Sequence, residues 1–138
     1  MSEQISVSGI IATDPRPHTT KEGLSIVSFR LASNSRYFDR AKNEWVSSLT
    51  NWFTVVAFRQ LADNCAHSLA KGDRVLVNGK LKIRDWDNGE RSGTSVEIDA
   101  DAIGLDLNFG TGTLDRVVMH PTEEDEFEEE LERELQPA

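Results

Sequence analysis

The chain has 138 residues, a formal net charge of −9 and 38% hydrophobic residues. This length favours a single domain with a modest core. A single cysteine, Cys65, excludes a disulfide framework within the chain, and no apolar run approaches the roughly 18 residues that a membrane helix needs. Because no charged-then-apolar leader opens the sequence either, we expect a soluble cytoplasmic protein.

The negative charge is concentrated near the C-terminus. Residues 123–134 hold nine of the 24 acidic residues and one of the 15 basic ones, which leaves 15 acidic and 14 basic residues elsewhere. The rest of the chain is therefore close to neutral, at −1, and the sequence pI near 4.8 does not exclude a nucleic-acid partner.

Alternating apolar residues predict five strands: Gln4–Ile11, Leu24–Ser33, Asn51–Phe58, Asp73–Arg84 and Ser92–Ile103. The loop Asp14-Pro15-Arg16-Pro17 ends the first of them. Between the third and fourth strands, Leu61, Cys65 and Leu69 recur at four-residue spacing and predict one helix over Gln60–Ala70, with Cys65 as a small buried residue. The long polar connection 34–51 is of a kind that is usually functional or contains a hairpin. This order is that of an all-β OB-fold, a five-stranded Greek-key barrel with one short helix between strands 3 and 4. We place the OB-fold domain at residues 1–110 and a linker with an acidic tail at 111–138.

The predicted third to fifth strands carry rings and cations on polar faces. Trp52 and Phe58 share a strand face with Thr54, and Trp86 stands at a strand end. On the fourth strand Lys80, Lys82 and Arg84 share one face and form a basic stripe. On the fifth, the apolar face is predicted to hold Val96, Ile98, Ala100 and Ala102. Exposed rings among cations favour a ligand with a π-surface and negative charge.

Three runs of sequence carry a family resemblance. Residues Asn51–Phe58, Leu61–Asn64 and Lys71–Leu81 resemble the bacterial single-stranded-DNA-binding protein family, and the likeness covers roughly residues 3–107. The resemblance implies DNA wrapped around a homotetramer of OB-folds, with strand Gln4–Ile11 as a candidate for subunit pairing. It also implies bases stacked on a few aromatic side chains, which are Phe38, Trp52, Phe58 and Trp86. Tyr37 could share the role of its neighbour Phe38.

Binding without sequence preference uses what every nucleotide offers, a π-face and a phosphate. The candidate phosphate contacts are Arg30, Arg36, Arg40, Lys42, Arg59, Lys80, Lys82, Arg84 and Arg91. Plainer alternatives remain at this point: Trp52 and Phe58 could close a barrel end, and the basic stripe could be an ordinary solvated face. Trp45 matches no stacking position of the family and is interpreted as a residue that packs the loop.

No catalytic, metal or cofactor site is predicted. His18, His67 and His120 fall in different elements without a metal-ligand spacing, and no phosphate loop or nucleophile motif is present. We therefore predict a non-enzymatic protein without cofactors.

The C-terminal segment departs from the family. Family members usually carry a flexible linker and an acidic tip, Asp-Asp-Asp-Ile-Pro-Phe, that recruits replication and repair enzymes, whereas this sequence ends Leu135-Gln136-Pro137-Ala138. The difference favours a specialised paralogue. Instead of the tip, Phe127, Leu131 and Leu135 recur every four residues and favour a helix over about 123–135 that binds a protein partner. The alternatives are a disordered acidic tail and a tail that occupies the basic groove of its own domain.

The sequence thus predicts sequence-independent binding and protection of single-stranded DNA in replication, repair or recombination. One alternative is an OB-fold adaptor of the primosomal type that acts mainly through the acidic tail. A second is an RNA-binding OB-fold.

Overall fold

The computed structural model describes residues 3–34, 36–47, 49–117, 130, 131 and 133–135, without the side chains of residues 36, 37 and 47. Between residues 3 and 117 the described chain forms eight strands and one helix. In chain order the elements are β1 (Glu3–Ile11), β2 (Arg16–Thr19), β3 (Ser25–Ser33), β4 (Arg36–Asp39), β5 (Glu44–Ser47), β6 (Asn51–Phe58), α1 (Arg59–Ser68), β7 (Arg74–Asp87) and β8 (Ser92–Leu105). None of these described residues forms a helix with the length and hydropathy required to span a bilayer.

The main sheet closes on itself as a barrel. Its strands follow the order β1-β7-β8-β6-β3, and β3 returns to β1 where Ile10 pairs with Ala32. The β6–β8 pair is parallel and the other pairs are antiparallel. With α1 between β6 and β7, this is the predicted five-stranded OB-fold.

Inward-pointing side chains at alternate positions build the core. Ile11, Leu31, Val55, Val77 and Ile98 are fully buried inside the barrel, as the period of two along each strand requires. A second cluster under α1 joins Val27 and Ala57 to Ala62 and Cys65 of the helix. Burial raises the pKa of the Cys65 thiol to about 11, so this residue is the small, unreactive core residue that its helical spacing predicts.

The structure changes two details of the predicted strands. The loop after β1 contains the short strand β2, which pairs with β3. On β8, a bulge opposite Asn78 and Gly79 inserts Asp101 as an extra residue, so Ile103 packs on the core and Ala102 is exposed. The assignment of Ala102 to the apolar face was therefore wrong. The bulge also explains Gly79, since a Cβ there would lie 2.2 Å from the carbonyl oxygen of Asp99.

Two hairpin arms leave the barrel. The long connection between β3 and β6 contains the β4–β5 hairpin, which we call the first arm. Beyond Leu81 on β7 and before Glu97 on β8, those two strands pair only with each other and form the second arm, residues 82–96. Because β6 follows the first arm, β8 follows the tip of the second arm, and β6 and β8 are parallel, both arms leave the same end of the barrel.

The predicted tail helix lies largely outside the described residues. Residues 130, 131 and 133–135 have helical backbone, with the side chains of Leu131 and Leu135 exposed. Phe127 falls outside the described part of the chain.

Candidate nucleic-acid interface

Trp52 lies at the end of the barrel from which the arms leave. It stands on the outer face of β6 with 49% of its surface exposed, opposite Ala32 of β3. Arg30 lies on the same face, with its guanidinium carbon 5.6 Å from the centroid of the Trp52 ring. The Nη1 of Arg30 also donates a hydrogen bond of 2.8 Å to Thr54 Oγ1, directly opposite on β6. The ring and the cation are thus held together as one unit, which suits a base and its adjacent phosphate.

Trp86 lies on the second arm, directly opposite Gly93. A Cβ at Gly93 would lie 2.8 Å from Cζ2 and 3.0 Å from Cε2 of the indole, so the ring lies against the bare backbone of β8. The other side of the ring is open, and 44% of the residue is exposed. Only a glycine lets the indole lie this close. Gly93 was not among the predicted site residues, because only the observed register of β7 and β8, with Asp87 opposite Ser92, places it opposite Trp86.

Phe58 stands at the far end of β6 from Trp52. Six residues of extended chain separate the two rings, roughly 20 Å along the strand. Phe58 is partly buried and precedes α1, where Arg59 has a φ of +60° that is unusual for a non-glycine residue. A surface depression is lined by Phe58 together with Arg59, Lys80 and Asp99, so one ring and two of the predicted phosphate contacts share one hollow.

Phe38 and Trp45 face each other across the first arm. Their Cα atoms are paired between β4 and β5, and their ring centroids are 5.6 Å apart at an interplanar angle of 69°. Phe38 is 45% exposed and Trp45 is 68% exposed. Trp45 thus has a packing partner within the arm, but it remains the most exposed tryptophan of the three. The side chain of Tyr37 lies outside the described residues.

The basic stripe of β7 is partly neutralised. Lys82 Nζ lies 2.6 Å from Asp99 Oδ2, and Arg84 Nε lies 3.4 Å from Glu97 Oε2. Both carboxylates stand on β8 and are only about one-fifth exposed. The stripe is therefore a row of cations beside a row of acids, which sequence reasoning did not foresee.

The remaining predicted phosphate contacts sit at the arm tips. Arg40 and Lys42 are exposed at the turn of the first arm, and Arg91 is exposed at the tip of the second. The side chain of Arg36, on β4, lies outside the described residues. Each arm thus combines a ring on its strands with a cation at its tip. Elsewhere in the described ranges, no group of three His, Cys, Asp or Glu residues is arranged to hold a metal ion.

An OB-fold barrel with exposed rings interleaved with cations belongs to the class of single-strand nucleic-acid-binding modules, in which rings stack on bases and cations follow the backbone. Comparison with known proteins defines the family. The model of the single-strand binding protein family matches residues 2–106, and the chain belongs to this family.

Named relatives and solved structures agree with this assignment. The chain is 49% identical over 112 residues to single-stranded DNA-binding protein 2 of Tropheryma whipplei strain Twist, covering 81% of this chain and 74% of the relative. It is also 49% identical over 112 residues to single-stranded DNA-binding protein 1 of Streptomyces coelicolor, covering 81% and 71%. The crystal structure of the small single-stranded DNA-binding protein of S. coelicolor superposes with a TM-score of 0.73 at 46% identity, covering 79% of this chain and 98% of that one. The second single-stranded DNA-binding protein of Mycobacterium smegmatis gives 0.64 at 29% identity, covering 84% and 100%.

The packing of Trp86 on Gly93 predicts the effect of a methyl group at that position. Gly93→Ala should lift the indole from the β8 backbone and shift its fluorescence emission to longer wavelength, measured with Trp45 and Trp52 replaced by Phe so that Trp86 is the sole tryptophan. Gly104→Ala is the matched control on the same strand, because a Cβ there meets no atom within 4 Å. Identical spectra for Gly93→Ala and Gly104→Ala would contradict this packing.

Proposed function

We propose that this protein binds single-stranded DNA without sequence preference and protects it in replication, repair or recombination. The observation that supports this most directly is the arrangement of exposed rings beside cations at one end of an OB-fold barrel, in a member of the single-strand binding protein family. The activity is binding rather than catalysis, and the site of action is the cytoplasm, where the DNA is.

The proposed mechanism assigns stacking to the rings and charge neutralisation to the cations. Each base stacked on an aromatic side chain contributes about 1–3 kcal/mol, and every base has a π-face, so the binding tolerates any sequence. The stacking residues are Phe38, Trp52, Phe58 and Trp86, with Tyr37 as a candidate beside Phe38. Phosphates are bound by Arg30, Arg59 and Lys80 along the barrel and by Arg36, Arg40, Lys42, Lys82, Arg84 and Arg91 on the arms.

Glu97 and Asp99 limit this binding. A phosphate that approaches Lys82 or Arg84 meets a cation that already has a carboxylate partner. Both acids are partly buried on β8 and lie beside these cations, so they compete with a phosphate for them. The two ion pairs therefore reduce the number of cations that neutralise DNA and keep the affinity below what the stripe alone would give.

Assembly and protein partners belong to the same proposal. The family resemblance implies a homotetramer, and four large apolar side chains are exposed and suited to subunit contacts: Leu76, Leu105, Leu107 and Phe109. For the tail, we propose that the apolar line Phe127, Leu131 and Leu135 binds a protein partner. The exposure of Leu131 and Leu135 supports this role.

Intrinsic fluorescence tests the binding function. Oligo-dT should quench the emission of the three tryptophans at low salt, and added salt should reverse the quenching because phosphate contacts weaken as ionic strength rises. Trp52→Ala and Trp86→Ala should each weaken binding, measured by anisotropy of labelled oligo-dT, by about 1–3 kcal/mol. Leu114→Ala removes an exposed apolar side chain that does not belong to the proposed site and should leave the affinity unchanged.

Two results would redirect the proposal. No binding of oligo-dT at low salt would favour the OB-fold adaptor that acts through its tail. Displacement of bound oligo-dT by an equal concentration of oligo-U would favour an RNA ligand.

The ion pairs on the second arm predict a gain of affinity. Asp99→Asn frees Lys82 for a phosphate, so binding to oligo-dT should tighten about two- to five-fold at low salt, the range expected for an exposed ion pair. The plot of log affinity against log salt should steepen by about 0.7, the value for one added phosphate contact on a single strand.

Asp63→Asn is the control for this prediction, because it removes the same charge from the exposed face of α1. Equal affinities for Asp99→Asn and Asp63→Asn would show that the carboxylate of Asp99 does not restrain Lys82. Thermal unfolding of both variants checks that the fold is unchanged.

A further inference from the structure

The first arm is a self-contained hairpin. At its turn the carboxylate of Asp39 accepts hydrogen bonds from the backbone N–H groups of Ala41, at 2.9 Å, and Lys42, at 3.3 Å. Asn43 adopts a φ of +51°, which the tight turn requires and Asn tolerates. At the base of the arm, Asn34 Nδ2 donates to Thr50 Oγ1 at 3.2 Å. These hydrogen bonds at the turn and the base hold the hairpin in addition to the contact between its two rings.

The aromatic rings of the first arm do not pack on the barrel. Within the described ranges, β4 and β5 contact each other and no other strand or helix. Yet Phe38 and Trp45 keep 45% and 68% of their surfaces exposed on one face of the arm. An edge-to-face pair leaves ring surface that the partner ring does not cover. Two large rings exposed side by side on an arm that leaves the barrel form a surface suited to a ligand.

The surroundings of this pair favour a nucleotide as the ligand. The arm joins the barrel at Asn34 and Thr50, next to the unit formed by Trp52 and Arg30. Its turn carries the exposed cations Arg40 and Lys42. The carboxylate of Asp39, between the rings and that turn, is already occupied by backbone N–H groups. A strand of DNA that runs from Trp52 along the first arm toward Arg40 and Lys42 therefore passes these two rings.

We propose that Trp45 is an additional base-stacking residue and that Phe38 and Trp45 together form a two-ring platform on the first arm for a base of single-stranded DNA. This inference rests on the proposed function and replaces the interpretation of Trp45 as a loop-packing residue. Phe38 supports the indole edge-to-face, and Trp45 presents the larger exposed ring to the base. The bound strand then contacts aromatic side chains on both arms and on the barrel wall between them.

A variant with Trp45 as its sole tryptophan tests the platform. The chain has three tryptophans, so Trp52→Phe with Trp86→Phe leaves Trp45 as the only reporter and keeps aromatic rings at the other two positions. Oligo-dT should quench this emission, and salt should reverse the quenching. In the otherwise unchanged chain, Trp45→Ala should lower the affinity for oligo-dT by about 5- to 150-fold, the equivalent of one lost base stack.

Trp45→Phe keeps a ring at this position and should recover most of the affinity. Val46→Ala is the matched control, because the next residue of β5 points to the other face of the arm. Its affinity should equal that of the wild-type chain.

Failure of the platform and failure of the proposed function give different results. If the wild-type chain binds oligo-dT while Trp45 emission does not change and Trp45→Ala binds as tightly as Val46→Ala, the platform is wrong and the proposed function stands. If Trp45 emission responds to protein concentration and not to DNA, the rings contact a second copy of the chain, which also overturns the platform. If the wild-type chain does not bind oligo-dT at all, both proposals fail.

Discussion

The parallel pairing of β6 with β8 is the constraint on which the site depends. Both strands run from the same end of the barrel, where β6 follows the first arm and the barrel portion of β8 follows the second arm. Trp52 near the start of β6 therefore lies between an arm that carries Phe38 and Trp45 and an arm that carries Trp86. Phe38 and Trp86 are almost fifty positions apart in sequence, and the pairing of β6 with β8 brings their arms to one end of the barrel. This pairing consists of three positions, Thr54–Glu97, Val55–Ile98 and Val56–Asp99. A break in this pairing would separate the two arms without changing either hairpin.

The positive charges of the site are partly offset by neighbouring negative charges, although its proposed ligand is an anion. Outside residues 123–134 the chain has almost equal numbers of acids and bases, and the two cations Lys82 and Arg84 of the second arm are paired with acids at its base on β8. Affinity under the proposed function therefore depends more on stacking than on net attraction. Arg30 shows how the two contributions combine, since one guanidinium contacts both the Trp52 ring and Thr54. Salt should therefore weaken binding less steeply than it would if every predicted cation neutralised a phosphate.

Much of the fold follows from local patterns in the sequence. Alternation predicted the five barrel strands, and the spacing of Leu61, Cys65 and Leu69 predicted α1, because these patterns depend on single elements. The bulge opposite Gly79 could not be predicted from single strands, because it depends on how β7 and β8 pair. As a result of the bulge, Ala102 does not face the core. The ion pairs of Lys82 and Arg84 join diagonal neighbours on two strands, so their partners could not be read from either strand alone. The contact of Trp45 with Phe38 depends on the pairing of β4 with β5, so neither strand alone indicates it.

The central claim is that single-stranded DNA binds at the arm end of the barrel by stacking on its rings. The most direct test is a ¹H–¹⁵N spectrum of the whole protein titrated with oligo-dT, in which each of the three tryptophans contributes one indole N–H signal. We predict that all three indole signals shift on saturation while the backbone amides of α1 stay in place. Unmoved indole signals at saturation, with shifts confined to the backbone amides of α1, would contradict the account.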